Sequence, residues 1–281
     1  MSIWFITGAS RGLGAAIVRE ALARGNRVAA TARDAQAVLR AFPDAGEDLL
    51  ALTADVTDEQ QLREAVDATV ERYGRIDVLV NNAGRGLLSA VEEVSDKAAR
   101  AVFDTNVFGV LNTQRAVLPV LRAQRSGHVI NMSSVGGFTT APGWGLYAAT
   151  KFALEGLSEA LHAELEPLGI SVTIVEPGGF RTDFLDGSSL HTEPAAIADY
   201  AQSAGVTRGL VPGFNHAQAG DPAKLAAAVV DLAGQERPPL RIQLGADAVR
   251  RIEAKLDFVR GELERLRPIA LSTDLVEDAA G

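Results

Sequence analysis

Residues 3–14 read Ile3-Trp4-Phe5-Ile6-Thr7-Gly8-Ala9-Ser10-Arg11-Gly12-Leu13-Gly14. The first four are apolar and too few for a membrane span, and no basic leader precedes them, so they predict a buried strand rather than a signal peptide. Gly8, Gly12 and Gly14 mark a tight turn, and a helical pattern starts at Leu13. A glycine turn between a strand and a helix lets backbone approach a ligand closely. The helix N-terminus then offers unpaired N–H groups to a pyrophosphate. The spacing is G-x-x-x-G-x-G with a preceding threonine, not the usual G-x-G-x-x-G.

Outward from this stretch, short apolar runs alternate with longer helical patterns. Strands are predicted at 3–7, 27–31, 49–53, 77–80, 128–132, 171–175 and 240–244, with helices at 13–24, 59–73, 97–125, 144–167 and 221–233. Val28-Ala29-Ala30 and Val78-Leu79-Val80 are apolar without alternation, as strands buried on both faces are. The pattern predicts one α/β domain, Rossmann-type and doubly wound, with a seven-stranded parallel sheet and helices on both faces. Asp221-Pro222 supplies an N-cap followed by proline at the first helical position.

The segment 183–220 breaks the rhythm with five glycines. It reads as a lid inserted before the last strand or as a surface excursion. Val249, Ile252, Leu256, Val259, Leu263 and Leu266 recur at steps of three and four, and are expected to cover the domain's own core. Residues 277–281 are expected to be disordered.

Hydrophobic residues make up 47% of the 281, enough for a sizeable core. The absence of cysteine removes disulfides, thiolate metal sites and thiol nucleophiles, and fits a reducing, cytoplasmic setting. A net charge of -9 argues against a nucleic-acid partner. No apolar run reaches the roughly 20 residues of a membrane span. His128, His162, His191 and His216 show no metal-ligand spacing, so no metal is expected. His191 and His216 lie in the 183–220 segment, within reach of a substrate or simply on the surface.

Tyr147 and Lys151 are four apart on one predicted helix and share a face. A free phenol titrates near ~10, and a nearby ammonium is expected to lower that value. Such a phenol can protonate a forming alkoxide or deprotonate an alcohol. Ser134 follows the fifth predicted strand at the carboxyl edge of the sheet, where its hydroxyl can bond a substrate oxygen; Ser133 is the competing position. Asn106 is an unusual helix-interior residue that marks either a local kink or a functional position.

In order along the chain stand Thr7 to Gly14, Asn81-Asn82-Ala83-Gly84, Asn106, Ser134, Tyr147-Ala148-Ala149-Thr150-Lys151, and Pro177-Gly178 with Thr182. Together they resemble the short-chain dehydrogenase/reductase family, as far as about Phe184. The resemblance implies hydride transfer between a nicotinamide cofactor and a carbonyl or secondary alcohol, with Tyr147 as proton donor and acceptor. It implies a dinucleotide on Gly8, Ser10, Arg11, Gly12, Leu13 and Gly14. Asp55 and Val56 would meet adenine, and Asn82, Ala83 and Gly84 would flank the cofactor. Asp55 or Thr57 alternatively caps the next helix, and Asn81 and Asn82 alternatively satisfy buried backbone. By the same resemblance Asn106 helps hold a water that links Lys151 to solvent. Lys151 would bond the nicotinamide ribose, and Thr182 the carboxamide, beside Pro177 and Gly178. The family's interval favours Ser134 over Ser133.

At the end of the second strand, Ala32 stands where NAD enzymes place an acid, followed by Arg33. Arg33 and Arg11 suit a 2′-phosphate and resemble the NADP(H)-preferring branch. The competing reading pairs Arg33 with Asp34 as surface charge. The resemblance further implies a homodimer or homotetramer built on helices 97–125 and 144–167. A small carbonyl or alcohol, apolar or cyclic, is the expected substrate, from Phe138, Trp144, Phe184, Leu190, Tyr200 and Phe214. Other readings are a non-catalytic NADP(H)-binding regulator and an epimerase or dehydratase that recycles its cofactor.

Overall fold

The computed structural model describes residues 1–194 and 196–275, so the tail expected to be disordered lies outside the described residues. Seven strands form one parallel sheet in the order β3-β2-β1-β4-β6-β7-β9: β1 (Ile3–Thr7), β2 (Arg27–Ala32), β3 (Leu49–Thr53), β4 (Val78–Asn81), β6 (Gly127–Met132), β7 (Ile170–Pro177) and β9 (Arg241–Leu244). A parallel pair, β5 (Gly86–Leu87) with β8 (Leu190–His191), stands apart. The chain winds outward from β1 to β3, then returns to β4 and winds the other way. The crevice between the carboxyl ends of β1 and β4 is therefore the switch point where such sheets bind ligands.

Alternation along the strands feeds two cores. Trp4 and Ile6 face α1 (Gly12–Ala23), α2 (Ala35–Ala41) and α8 (Pro222–Ala233). Phe5 faces the other way, toward α3 (Glu59–Tyr73), α5 (Gly109–Gln124) and α6 (Gly145–Leu165). Both sides are greasy because both sides are covered. Caps set the helix ends: Asp58 accepts from the Gln60 and Gln61 amides at the start of α3, and Asp221 accepts from Ala223 at the start of α8.

Three expectations change. The predicted helix 97–125 is broken into α4 (Asp96–Phe103), a π-helical turn Asp104–Phe108, and α5. Asn106 sits in that turn, and π-turns inside helices are frequent at functional sites. The segment 183–220 contains β8 and α7 (Ala204–Phe214) and is not loop throughout. The C-terminal stripe does not cover the core. It lies on α9 (Ala246–Leu271), of which only Ala248 and Ile252 are buried, because the helix leaves the domain after its second turn.

Candidate active site

The glycine turn is held from below. Thr7 Oγ1 accepts from the Asn82 and Ala83 amides, each at 3.1 Å. Asn82 Nδ2 donates to the Thr7 and Gly8 carbonyls at 2.9 and 3.0 Å. Gly8 has φ 65°, and a side chain there would meet Ala83 Cα at 2.8 Å. A Cβ on Gly14 would stand 2.4 Å from both Asn82 Nδ2 and the Gly8 oxygen. Asn81 points elsewhere, and its side-chain amide donates to Asn131 Oδ1 at 2.8 Å between neighbouring strands. Asn82 thus serves the turn and Asn81 the sheet.

The N-cap residue of α1, Arg11, makes no side-chain cap bond, which leaves the helix N-terminus open to an anion. Arg11 instead reaches across to Ser188 and Ser189. Its guanidinium donates to the Ser188 hydroxyl, to the Ser188 carbonyl at 3.0 Å and to Ser189 Oγ at 2.7 Å. Arg11 and Arg33 border the same cleft, and this contact engages the Arg11 guanidinium with Ser188 and Ser189. Arg33 remains at the cleft after β2, and its competing partner is taken: Asp34 caps α2 through the Gln36 amide and pairs with Arg40 at 3.0 Å. The Arg40 hydrogen bond holds the Asp34 carboxyl below its ordinary value.

A cleft of about 1300 Å³ runs along this edge of the sheet. Every expected site residue borders it except Gly14, packed beneath the turn, and Asn106, one layer behind. Asp55 borders it with its carboxylate bonded to the Thr57 amide and hydroxyl at 2.9 and 2.8 Å. The cap of α3 falls to Asp58 rather than to Asp55 or Thr57. Volume, uncapped helix and glycine turn together fit a dinucleotide.

At the far end, α6 presents Tyr147 and Lys151 on one face. The Tyr147 ring lies between Trp144 and Phe184, each with centroids 5.6 Å away. Lys151 Nζ lies 5.8 Å from the Tyr147 centroid and donates to the Met132 carbonyl at 2.8 Å. Burial pushes the Tyr147 phenol up to about 12, with the Ser134 hydroxyl acting the other way. This corrects the expectation of a lowered phenol in the cofactor-free chain. Desolvation disfavours both charged forms, so Lys151 is itself pulled down to about 8, opposed by the Glu155 carboxylate.

Ser134 Oγ accepts from the Gly136 amide at 3.0 Å, and a Cβ on Gly136 would lie 3.3 Å from both Ser134 Oγ and Tyr147 Cε1. The two hydroxyl-bearing residues are thus neighbours. Ser133 turns its hydroxyl toward Glu155. Asn106 bonds the Arg85 amide at 2.9 Å and donates to the Arg85 carbonyl and Thr150 Oγ1, each at 3.0 Å. Gly84 keeps a point open between Asn106 Oδ1 and Lys151 Nζ, 3.4 and 3.9 Å from a Cβ placed there. Thr182 Oγ1 accepts from the Phe184 amide at 3.3 Å.

Some neighbours of the site were missed from the sequence. Glu155 and Glu176 are buried behind Ser133 and share Arg241. Burial raises the Glu155 carboxyl, and Glu176 beside it adds to the effect. The interval Lys151 to Glu155, one helical turn, is the clue that was available. Asp247 Oδ2 accepts from the Gly179 amide at 2.8 Å and ties α9 to the loop after β7. Among the aromatic candidates, Trp144, Phe184 and Phe214 line the cleft with Leu190, whereas Phe138 and Tyr200 do not. Phe138 packs on Ile252, and Tyr200 donates to Glu92. His191 borders the cleft; His216 pairs with Asp186 at 3.1 Å away from it.

Residues 2–192 match the family model described as short chain dehydrogenase. The chain belongs to the short-chain dehydrogenase/reductase family of oxidoreductases. It is 38% identical over 96% of its length to "Oxidoreductase BOA17" of Botryotinia fuckeliana, covering 98% of that protein. It is 37% identical over 86% to "3-ketodihydrosphingosine reductase" of Bacteroides thetaiotaomicron, covering 87%. A short-chain dehydrogenase structure from Streptomyces avermitilis superposes with a TM-score of 0.88 at 42% identity, over 98% of this chain and 100% of that one. An alcohol dehydrogenase from Thermococcus sibiricus, complexed with 5-hydroxy-NADP, superposes at 0.71 with 26% identity, over 87% of this chain and 96% of that one. Structural relatives thus bind nicotinamide dinucleotides. No described helix is long and apolar enough to cross a membrane.

Proposed function

We propose that the protein transfers hydride between NADP(H) and an apolar carbonyl or secondary alcohol, with Tyr147 as proton donor and acceptor. The observation that carries this reading is the meeting of Tyr147, Ser134 and Lys151 in the same cleft as the open N-terminus of α1. When bound, the cofactor supplies or receives the hydride.

The residues supply the rest. The amides at the start of α1 would receive the pyrophosphate. Arg33 would receive the 2′-phosphate, and Ala32 leaves no carboxylate to repel it. Ser134 Oγ would donate to the substrate oxygen while the Tyr147 hydroxyl delivers a proton to it. Lys151 would steady the resulting phenolate as an ammonium. The gap kept open by Gly84 supports a water between Asn106 and Lys151, through which the proton is replaced. Phe184, Leu190 and Phe214 favour an apolar chain or ring over a charged substrate. The name of the Bacteroides thetaiotaomicron relative supports a long-chain ketone in this class. The cysteine-free composition supports a cytoplasmic setting.

The test is Tyr147→Phe. The variant should fold, bind NADPH as tightly as the parent and lose nearly all turnover on a panel of apolar ketones. Retained turnover removes Tyr147 from the chemistry.

A further inference from the structure

A buried carboxylate is costly unless it is paired, so Glu155 asks for a reason. It lies on α6 one turn beyond Lys151, a spacing that sets Cβ atoms about 5–6 Å apart, and both residues are buried. Consecutive residues at the end of β6 meet the two side chains. Lys151 Nζ donates to the Met132 carbonyl, and Ser133 turns its hydroxyl toward Glu155. Gly137 leaves room for that approach, since a Cβ there would stand 2.6 Å from Ser133 Oγ and 2.9 Å from Glu155 Oε1. From β9, Arg241 Nε donates to Glu155 Oε2 at 3.2 Å and stands 3.4 Å from Glu176 Oε1. A single Nε–H serves one of these carboxylates well, and the hydrogen bond goes to Glu155; Glu176 Oε1 has no hydrogen-bond partner. Gln243 donates to the other Glu176 oxygen at 2.6 Å, and the far end of the guanidinium reaches Glu159 at the surface.

We propose that Glu155 is a positioning residue that keeps Lys151 an ammonium, and that Arg241, on the last strand of the sheet, keeps Glu155 an anion. Lys151 is engaged by a carbonyl and Glu155 by Arg241, so the carboxylate acts on the ammonium through space. In buried surroundings such a field is screened far less than in water. The neighbouring groups do not replace it. On α6 Tyr147 is held neutral by a phenol pushed up to about 12, and Asn106 on the π-turn carries no charge. Arg85 and Asp104 border the open cleft. β7 adds Glu176, which faces the same guanidinium, and α9 packs on the turn after β6 through the uncharged Ala248 and Ile252. Glu155 is the charge that opposes the desolvation of Lys151. Burial raises the Glu155 carboxyl in turn, with the Ser133 hydroxyl and Arg241 acting the other way. An ion pair that merely tied β9 to α6 would leave Lys151 indifferent to the charge at position 155.

The experiment is an NMR pH titration of the cofactor-free full chain labelled with carbon-13 in lysine. The chain has four lysines, Lys97, Lys151, Lys224 and Lys255, so the Lys151 line is the one that disappears in Lys151→Arg. In the parent that line should titrate near 8. Glu155→Gln keeps the shape and removes the charge, and should lower the midpoint by about one pH unit. Glu155→Asp keeps the charge at the expense of shape, and should stay within about half a unit of the parent. A structural role predicts the reverse order, with glutamine tolerated and aspartate disruptive. Glu159→Gln, exposed and bonded to the same arginine, should leave the line in place. The alkaline limb of ketone reduction should move with the Lys151 midpoint. That part rests on the hydride-transfer reading above, whereas the lysine line titrates whether or not the protein turns over; a shifted line in a protein without reductase activity would sink that reading alone. An unmoved midpoint in Glu155→Gln, an aspartate variant displaced as far as the glutamine one, or an equal shift in Glu159→Gln overturns the proposal.

Discussion

Raising the pH should switch off carbonyl reduction through Lys151. Burial lowers this ammonium to about 8, while it raises the Tyr147 phenol to about 12. A depressed amine is charged below its folded value and loses that charge as pH rises through it. At pH 7 about 90% of Lys151 is ammonium, and at pH 9 about 10%, from a value near 8. Tyr147 stays protonated across that interval and remains able to donate. The loss should therefore come from the missing ammonium that steadies the phenolate. The assay is single-turnover reduction of an apolar ketone by NADPH-loaded protein from pH 6 to 9.5. The rate should be flat below pH 7 and fall about tenfold between pH 7 and 9. Lys151→Arg keeps its charge throughout, so whatever rate it retains should not fall over that range. A parent rate flat to pH 9.5, or an arginine variant with the same alkaline limb, refutes the assignment of that limb to Lys151.

Arg33→Ala should raise the KM for NADPH by roughly ten- to a hundredfold, the worth of a charge-assisted bidentate contact. NADH use should change little, and a flat response to both cofactors removes the 2′-phosphate role. Arg11→Ala should have the smaller effect on NADPH, since its guanidinium is engaged by Ser188 and Ser189. Gly14→Ala forces a methyl into Asn82 and the Gly8 carbonyl, and should cost about 2 kcal/mol or more, lowering Tm by roughly 4–8 °C. An unchanged Tm would mean that the turn relaxes freely. His128 is buried and lowered from 6.5 to about 4, and its Nε2 bonds Thr173 Oγ1 at 2.8 Å. Thr173 Oγ1 in turn donates to the Pro239 carbonyl at 2.6 Å, so the imidazole is the donor to Thr173, and burial favours its neutral form. The stability this provides is complete above pH 6.5 and is lost as pH falls toward 4. Between pH 7 and 5 that loss is about 2 kcal/mol, and denaturant unfolding of His128→Gln should show it reduced.

The sheet was legible because its strands are buried on both faces and bounded by turn residues. Trp4-Phe5-Ile6 and Val78-Leu79-Val80 leave little alternative. Tyr147 and Lys151 were legible for a similar reason, since helical periodicity alone brings them together. The π-turn was legible only as an asparagine out of place in a helix; its form was not, because its extra residue is absorbed without any break in the apolar pattern. α2 was missed too, as seven residues carry too little periodicity to separate from loop. The contact of Arg11 with Ser188 and Ser189 was not legible, because those partners lie more than 170 residues away. The burial that raises Tyr147 is equally invisible from local spacing; it depends on Trp144 and Phe184 closing over the ring. The stripe on α9 was read correctly as a stripe and wrongly as a cover, since periodicity reports a greasy face and not what it meets.

The cleft is built from two stretches of chain with different histories open to them. Its floor, from the glycine turn to Lys151, belongs to strand ends and helix starts that the sheet holds rigid. Much of its roof hangs from the excursion that runs from Phe184 to Phe214, paired to β5 at Leu190 and closed off beyond its ends by the bridge between Phe180 and Gly220. Selectivity can drift in that roof while the redox machinery below stays fixed. Grafting the excursion between relatives is accordingly the economical route to a new substrate range.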